Sequence, residues 1–229
     1  MGLLKIKKEK KISWNIKNGF GYVDDRNIKK YISNHKIKKL HIGCGKNILD
    51  GWLNSDYYPE NKMAIHLDAT KKFPFDDNTF DYIFSEHMIE HISFLDGSIM
   101  LKECWRVLKP NGKIRISTPN MRFLIDLYKN EKSPVQAEYI KWAAGKVIKW
   151  APYYDEIFVI NNFVRDWGHV FIYDVKTLKY LLEKSGFVNV EEYCLNASDE
   201  KDLLNLENET RMPEGFLKLE SLTLEGMKL

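Results

Sequence analysis

The sequence predicts an open α/β fold, with a mostly parallel sheet and an antiparallel terminal strand. Three observations predict it. Short apolar runs follow one another, several of them ending in an acidic or polar residue. The first run, Lys38-Lys39-Leu40-His41-Ile42, stops in the glycine turn Gly43-Cys44-Gly45-Lys46-Asn47. A helix-periodic stretch over 97–108 is cut by a turn and followed at once by another apolar run.

Strand one spans about 38–42. Gly43 and Gly45 lack Cβ, so the turn can take φ > 0 and bring main-chain N–H groups against a ligand. An ordinary strand-to-loop turn is the plain alternative. Residues 47–51 leave room for little more than one helical turn. Trp52-Leu53-Asn54-Ser55 is strand two, ending at Asp56, and Ala64-Ile65-His66-Leu67 is strand three, ending at Asp68-Ala69. Phe80-Asp81-Tyr82-Ile83-Phe84 is strand four, ending at Ser85-Glu86. The 97–108 helix carries Leu101, Cys104, Trp105 and Leu108 on one stripe. Lys109-Pro110-Asn111-Gly112 stops it, and strand five runs from Lys113 to Ser117. In open α/β sheets ligands bind beyond such carboxyl ends.

Residues 120–168 break the rhythm with an aromatic-rich insertion, read either as extra core or as a substrate lid over the sheet's carboxyl edge. Ser133-Pro134 opens a helix there. Asp174 caps another helix to about Ser185, ended by Gly186. Phe187 to Cys194 is strand six and 196–213 is loop. Phe216 to Gly226 alternates as a last strand, paired antiparallel at the edge. Ahead of the sheet, Ile12–Ile16 alternates like a strand, Asn18-Gly19 is a turn, and Asp25 can cap a short helix with Ile28, Tyr31 and Ile32 on one face.

The chain has 229 residues, 44% hydrophobic and 13% aromatic, enough for one generous domain with a real core. No apolar run is long enough to span a membrane, and the N-terminus has no secretion-type apolar segment. Three scattered cysteines, Cys44, Cys104 and Cys194, form neither a disulfide frame nor a zinc set, and a cytoplasmic location is expected. The net charge is +3 but uneven: residues 1–39 hold twelve Lys/Arg against three acids. That arm is either a solvated extension or a guide for an anionic partner. No nucleic-acid motif accompanies it.

Taken in order, Leu40-His41-Ile42-Gly43-Cys44-Gly45, Ser55-Asp56, Leu67-Asp68-Ala69, Phe73-Pro74-Phe75, Phe80-Asp81-Tyr82-Ile83, Glu90-His91-Ile92 and Arg106-Val107-Leu108-Lys109-Pro110-Asn111-Gly112 resemble the class I S-adenosylmethionine-dependent methyltransferases. Gly168-His169-Val170, Tyr173-Asp174 and Leu181 to Phe187 extend the resemblance. It is closest in kind to the small group associated with surface-polysaccharide biosynthesis. It implies a Rossmann-like seven-stranded methyltransferase sheet with helices on both faces. The organisation it implies is a basic cap over 1–37 and a methyltransferase domain over 38–229, with the insertion at about 120–168.

The resemblance also implies the site. Gly43, Cys44 and Gly45 line the methionine and ribose of S-adenosyl-L-methionine. His41 stands where the family usually has an acid. Asp56, with Tyr57 beside it, takes the ribose hydroxyls. Asp68 and Ala69 meet the adenine, and Ser85 sits near the transferring methyl. Among the histidines, His91, His87 and His169, in that order, are candidate general bases for an acceptor hydroxyl, against packing or capping roles. With Glu90, Glu86 or His169 the run could also ligate a metal. It lacks the H-E-x-x-H order of zinc peptidases, so no metal is expected.

The expected activity is O-methylation of a sugar or glycan precursor. A lipid, quinone or small heterocycle is the alternative acceptor. A nicotinamide-dependent oxidoreductase shares the G-x-G and the acid after strand two, but lacks the third glycine. A non-catalytic S-adenosylmethionine-binding module is the remaining reading.

Overall fold

The computed structural model describes residues 20–229, with side chains from Arg26 onward. The expected strand over 12–16 and the Asn18-Gly19 turn lie outside the described residues. Seven strands form one sheet: β1 (Lys39–Ile42), β2 (Leu53–Asp56), β3 (Ala64–His66), β4 (Phe80–Glu86), β5 (Leu108–Pro119), β6 (Val188–Glu192) and β7 (Ser221–Met227). Their order is β3-β2-β1-β4-β5-β7-β6. The first five are mutually parallel, and β7 runs antiparallel to both neighbours.

The order reverses between β1 and β4, which is where such a sheet opens a crevice. Register brings the tips level there: Ile42 lies beside Ser55 on one side and Ser85 on the other. The links from β1 to β2 and from β2 to β3 contain no helix, so little covers the loops at that end.

One face carries Leu40, Ile42, Leu53, Ile83, Ile114, Ile116 and Leu224 into the main core. Helices α1 (Phe20–Asn34), α2 (Phe94–Val107) and α6 (Val175–Lys184) pack on it. Helix α1 begins ahead of Asp25, the expected cap. Helix α2 starts earlier than the apolar stripe indicates, because Ser93 accepts from the Asp96 N–H as N-cap. The Lys109–Gly112 segment, expected as a turn outside any strand, is taken into β5 with Asn111 at φ 66°.

The other face is covered by the 194–211 segment and its two 3-10 turns, Lys201–Leu203 and Glu209–Arg211. Leu203 and Leu206 pack on Trp52 and Phe84. Arg115 pins this cover from inside. Its Nε donates to Glu207 Oε1 at 2.7 Å, and its Nη1 to Glu225 Oε1 at 2.6 Å and to the Ala197 carbonyl at 2.7 Å.

The insertion builds a second core of its own. Helices α3 (Met121–Leu127), α4 (Pro134–Trp142) and α5 (Glu156–Arg165) bury Phe123, Tyr139, Ile140, Val159 and Phe163 together. Ser133 and Gln136 form a complete capping box at the start of α4. A fourth helix, α7 (Phe216–Glu220), joins them from the far end of the chain. This corrects the expected strand from Phe216. Phe216, Leu217 and Glu220 are the buried positions, which is helical spacing. Glu220 is tied to the Tyr139 hydroxyl. The strand begins only at Ser221. Among the described residues, no helix is long and apolar enough to cross a membrane.

Candidate active site

The glycine turn is built as backbone. Gly43 sits at φ 71° and Gly45 at φ 50°. A Cβ on Gly43 would stand 2.3 Å from Met88 Cγ, so the loop after β4 presses on it. A Cβ on Gly45 would meet nothing within 4 Å. We therefore expect Gly43→Ala to cost about 2–3 kcal/mol, from left-handed strain plus displacement of Met88. Urea unfolding checks this, and a loss below about 1 kcal/mol would contradict the packing described.

Asp56, at the tip of β2, closes the turn. Its Oδ2 accepts from the Gly45 N–H at 2.9 Å and its Oδ1 from the Tyr58 N–H at 2.8 Å. Tyr57 beside it is half exposed, with its carbonyl bonded by His66 Nδ1 at 2.8 Å. At the end of β3, Asp68 Oδ1 accepts from both the Thr70 N–H and its hydroxyl. Burial alone would raise the Asp68 carboxyl, but these bonds with Lys71 and His66 nearby hold it below its ordinary range. Ala69 is buried next to it.

Two residues of the turn are more enclosed than their expected roles require. His41 is buried inside β1, with Nδ1 3.1 Å from Asn54 Oδ1 and its ring on Phe84. Burial pushes its pKa down to about 4, so it is neutral and supports the strand pair. Burial also pushes the Cys44 thiol up to about 12, which leaves it protonated and unreactive. Ser85, at the tip of β4, has a buried hydroxyl with no hydrogen-bond partner.

The run after β4 forms a polar corner. Glu90 is fully buried; its Oε2 accepts from Thr118 Oγ1 at 2.9 Å, and its Oε1 has no hydrogen-bond partner. His91 Nε2 lies 3.8 Å from that Oε1 and His87 Nδ1 lies 3.6 Å from it. His169 arrives from the end of the insertion, its ring 5.0 Å from that of His91. The Val170 and Phe171 N–H groups both donate to the Glu90 carbonyl, which fixes this approach.

Burial raises the Glu90 carboxyl to about 8 and lowers all three histidines, His87 most strongly. His91 is the accessible member, with 39% of its side chain exposed. His87 is enclosed, at φ 46°, with Nε2 2.8 Å from Ser221 Oγ. Glu86 points elsewhere, to the Asn208 N–H and Arg211. Sequence spacing brings out the histidines of the run. It gives no sign of Thr118, Ser221 or Tyr173, which come from other strands or beyond the insertion. Tyr173 is also buried with an unpartnered hydroxyl.

Residues 40–116 match the family model described as a methyltransferase domain. No curated protein matches the sequence significantly. Among solved structures, a SAM-dependent methyltransferase from Archaeoglobus fulgidus is 18% identical with a TM-score of 0.50, over 92% of this chain and 95% of that one. An S-adenosylmethionine-dependent methyltransferase from Mesorhizobium loti is 15% identical with a TM-score of 0.49, over 92% and 100%. Phosphoethanolamine N-methyltransferase 2 from Haemonchus contortus, in complex with S-adenosylmethionine, is 15% identical with a TM-score of 0.43. It aligns with 89% of this chain, which spans about half of it, 52%.

The likeness to the Archaeoglobus fulgidus structure shows the fold. Together with the domain match it supports an S-adenosylmethionine-dependent methyltransferase, with S-adenosylmethionine as the cofactor. The residues at the strand tips fit that group: the open space over Gly45, the carboxylate held against the loop and the unpaired Ser85 hydroxyl all suit a polar nucleoside.

Proposed function

We propose that this chain is an O-methyltransferase acting on a hydroxyl of a sugar or glycan precursor. The observation that carries the reading is the corner beyond β4, where the accessible His91 stands over buried Glu90 and beside His169. Burial keeps both imidazoles neutral near pH 7, so they offer lone pairs rather than charge to an incoming hydroxyl.

S-adenosylmethionine supplies an electrophilic methyl carbon on a sulfonium sulfur. In this reading the Gly43–Gly45 backbone and Asp56 hold its amino-acid and ribose portion, with Tyr57 alongside. Asp68 and Ala69 receive the adenine. Ser85 offers its hydroxyl beside the transfer position. Bound there, the cofactor would supply the methyl carbon to the acceptor oxygen, with the carbon–sulfur electron pair left on sulfur. The hydroxyl proton is lost at the His91 corner. Alignment of these groups would carry much of the rate.

The sugar assignment is supported by the exposed rings of Trp150, Tyr153, Tyr154 and Trp167 on the insertion. Such rings cover the flat faces of pyranoses, and we take 120–168 as a lid that presents them. The basic segment within 1–37 suits an anionic acceptor such as a nucleotide-linked sugar. Labelled-methyl transfer tests the reading against nucleotide sugars, glycan fragments, lipids, quinones and heterocycles. Label in a sugar hydroxyl is the expected result. Label confined to lipid, quinone or a ring nitrogen overturns the sugar assignment.

A further inference from the structure

Three atoms able to ligate a metal converge beyond β4. One is Glu90 Oε1, fully buried and unpartnered. The others belong to His91 and His169, and the ligating atoms of the three residues all lie within 4.8 Å of one another. His169 Nδ1 is 2.7 Å from the Phe163 carbonyl, which fixes that nitrogen as the N–H and leaves the lone pair on Nε2. His91 Nδ1 faces Gly168, where an added Cβ would stand 3.5 Å from it. The Nε2 of His91 is the atom 3.8 Å from Glu90 Oε1.

An imidazole that gives one N–H to a backbone carbonyl and aims its other nitrogen at a shared point is arranged as a metal ligand is. A buried carboxyl oxygen left without a hydrogen-bond partner costs free energy. Metal–ligand bonds of about 2.0–2.2 Å place neighbouring ligand atoms about 3 Å apart, so atoms spread over up to 4.8 Å would close inward by about 1–2 Å on an ion. Nitrogen and carboxylate donors in this ratio select first-row transition ions over magnesium or calcium.

We propose that Glu90, His91 and His169 bind one divalent first-row transition cation. His87, its Nδ1 3.6 Å from Glu90 Oε1, stands as a fourth ligand or a support. Thr118 orients the carboxylate from behind through its bond to Oε2. The exposed side of His91 leaves coordination positions open toward the acceptor. The role of the ion rests on the methyl-transfer reading; its binding does not. In that role the Nε2 lone pairs of His91 and His169 are taken up by the ion, which replaces direct proton transfer to imidazole: the ion would take the acceptor hydroxyl as a ligand, and the proton would pass to water before the oxygen bonds the methyl carbon.

The test titrates Mn2+ into chelator-treated protein, reading free ion by electron paramagnetic resonance, with S-adenosylhomocysteine affinity measured in parallel. One Mn2+ per chain is expected, weakened at least 10-fold by Glu90→Gln and by His169→Ala and unchanged by Asp56→Ala. Circular dichroism checks the fold of each variant. Should Glu90→Gln fail to fold, His169→Ala decides. No Mn2+ bound, or undiminished binding in a folded variant of either ligand, overturns the cation site. If S-adenosylhomocysteine binds and Mn2+ does not, the cation alone is refuted. If Mn2+ binds and S-adenosylhomocysteine does not, the site stands and the methyl-transfer role falls.

Discussion

Replacing Arg115 with alanine is expected to lower stability by about 3–5 kcal/mol. The guanidinium is fully buried in the sheet, between Glu207 and Glu225. It bonds both oxygens of Glu207, at 2.7 and 3.1 Å, and one of Glu225, at 2.6 Å. Removing it strands two carboxylates beneath the 194–211 cover. Burial already pushes the Glu225 carboxyl up, with Arg115 among the groups holding it down. The same side chain donates to the Ala197 carbonyl, so its loss also loosens the segment that brings Arg211 to Glu86. Urea unfolding measures the cost. Replacing all three charged residues by apolar ones of similar size should restore much of it, because a buried network is expensive chiefly when half removed. A loss under about 1 kcal/mol for Arg115→Ala alone would show the network to be open to water.

The largest expected effect on chemistry is at His91. His91→Ala should lower turnover by about 100-fold or more while leaving S-adenosylhomocysteine affinity within about threefold. The asymmetry follows from position. His91 stands beyond β4 beside His169, whereas the residues proposed for the cofactor lie on the turn after β1 and at the tips of β2, β3 and β4. Its partly exposed ring can be removed without opening the core. Steady-state kinetics with the acceptor from the labelled-methyl panel, and calorimetry for the cofactor product, separate the two effects. Turnover at the wild-type level would make His91 a packing residue.

Much of this architecture can be read along the chain because its signals are local. The apolar runs ending at Asp56, Asp68 and Glu86 mark β2, β3 and β4, and the glycines fix the turn after β1. Ser133-Pro134 announces α4 with its own capping atoms. What is missed is decided at a distance. Phe216–Glu220 alternates well enough for a strand, yet Glu220 is drawn to Tyr139 across the second core and the segment turns helical. The strand register turns His41 toward Asn54 and Phe84, so position in the motif does not tell whether its ring meets a ligand. Glu90 reads as one acid among several. Only the fold gives it Thr118 on one oxygen and His169 near the other.

The central claim is that S-adenosylmethionine lies across the strand tips with its ribose hydroxyls on Asp56. Calorimetry of S-adenosylhomocysteine with the wild-type protein and Asp56→Ala tests it most directly. One molecule should bind per chain, and the variant should bind about 10–100-fold more weakly, the loss of charge-assisted hydrogen bonds. Absent binding, or an affinity that Asp56→Ala leaves unchanged, would contradict it.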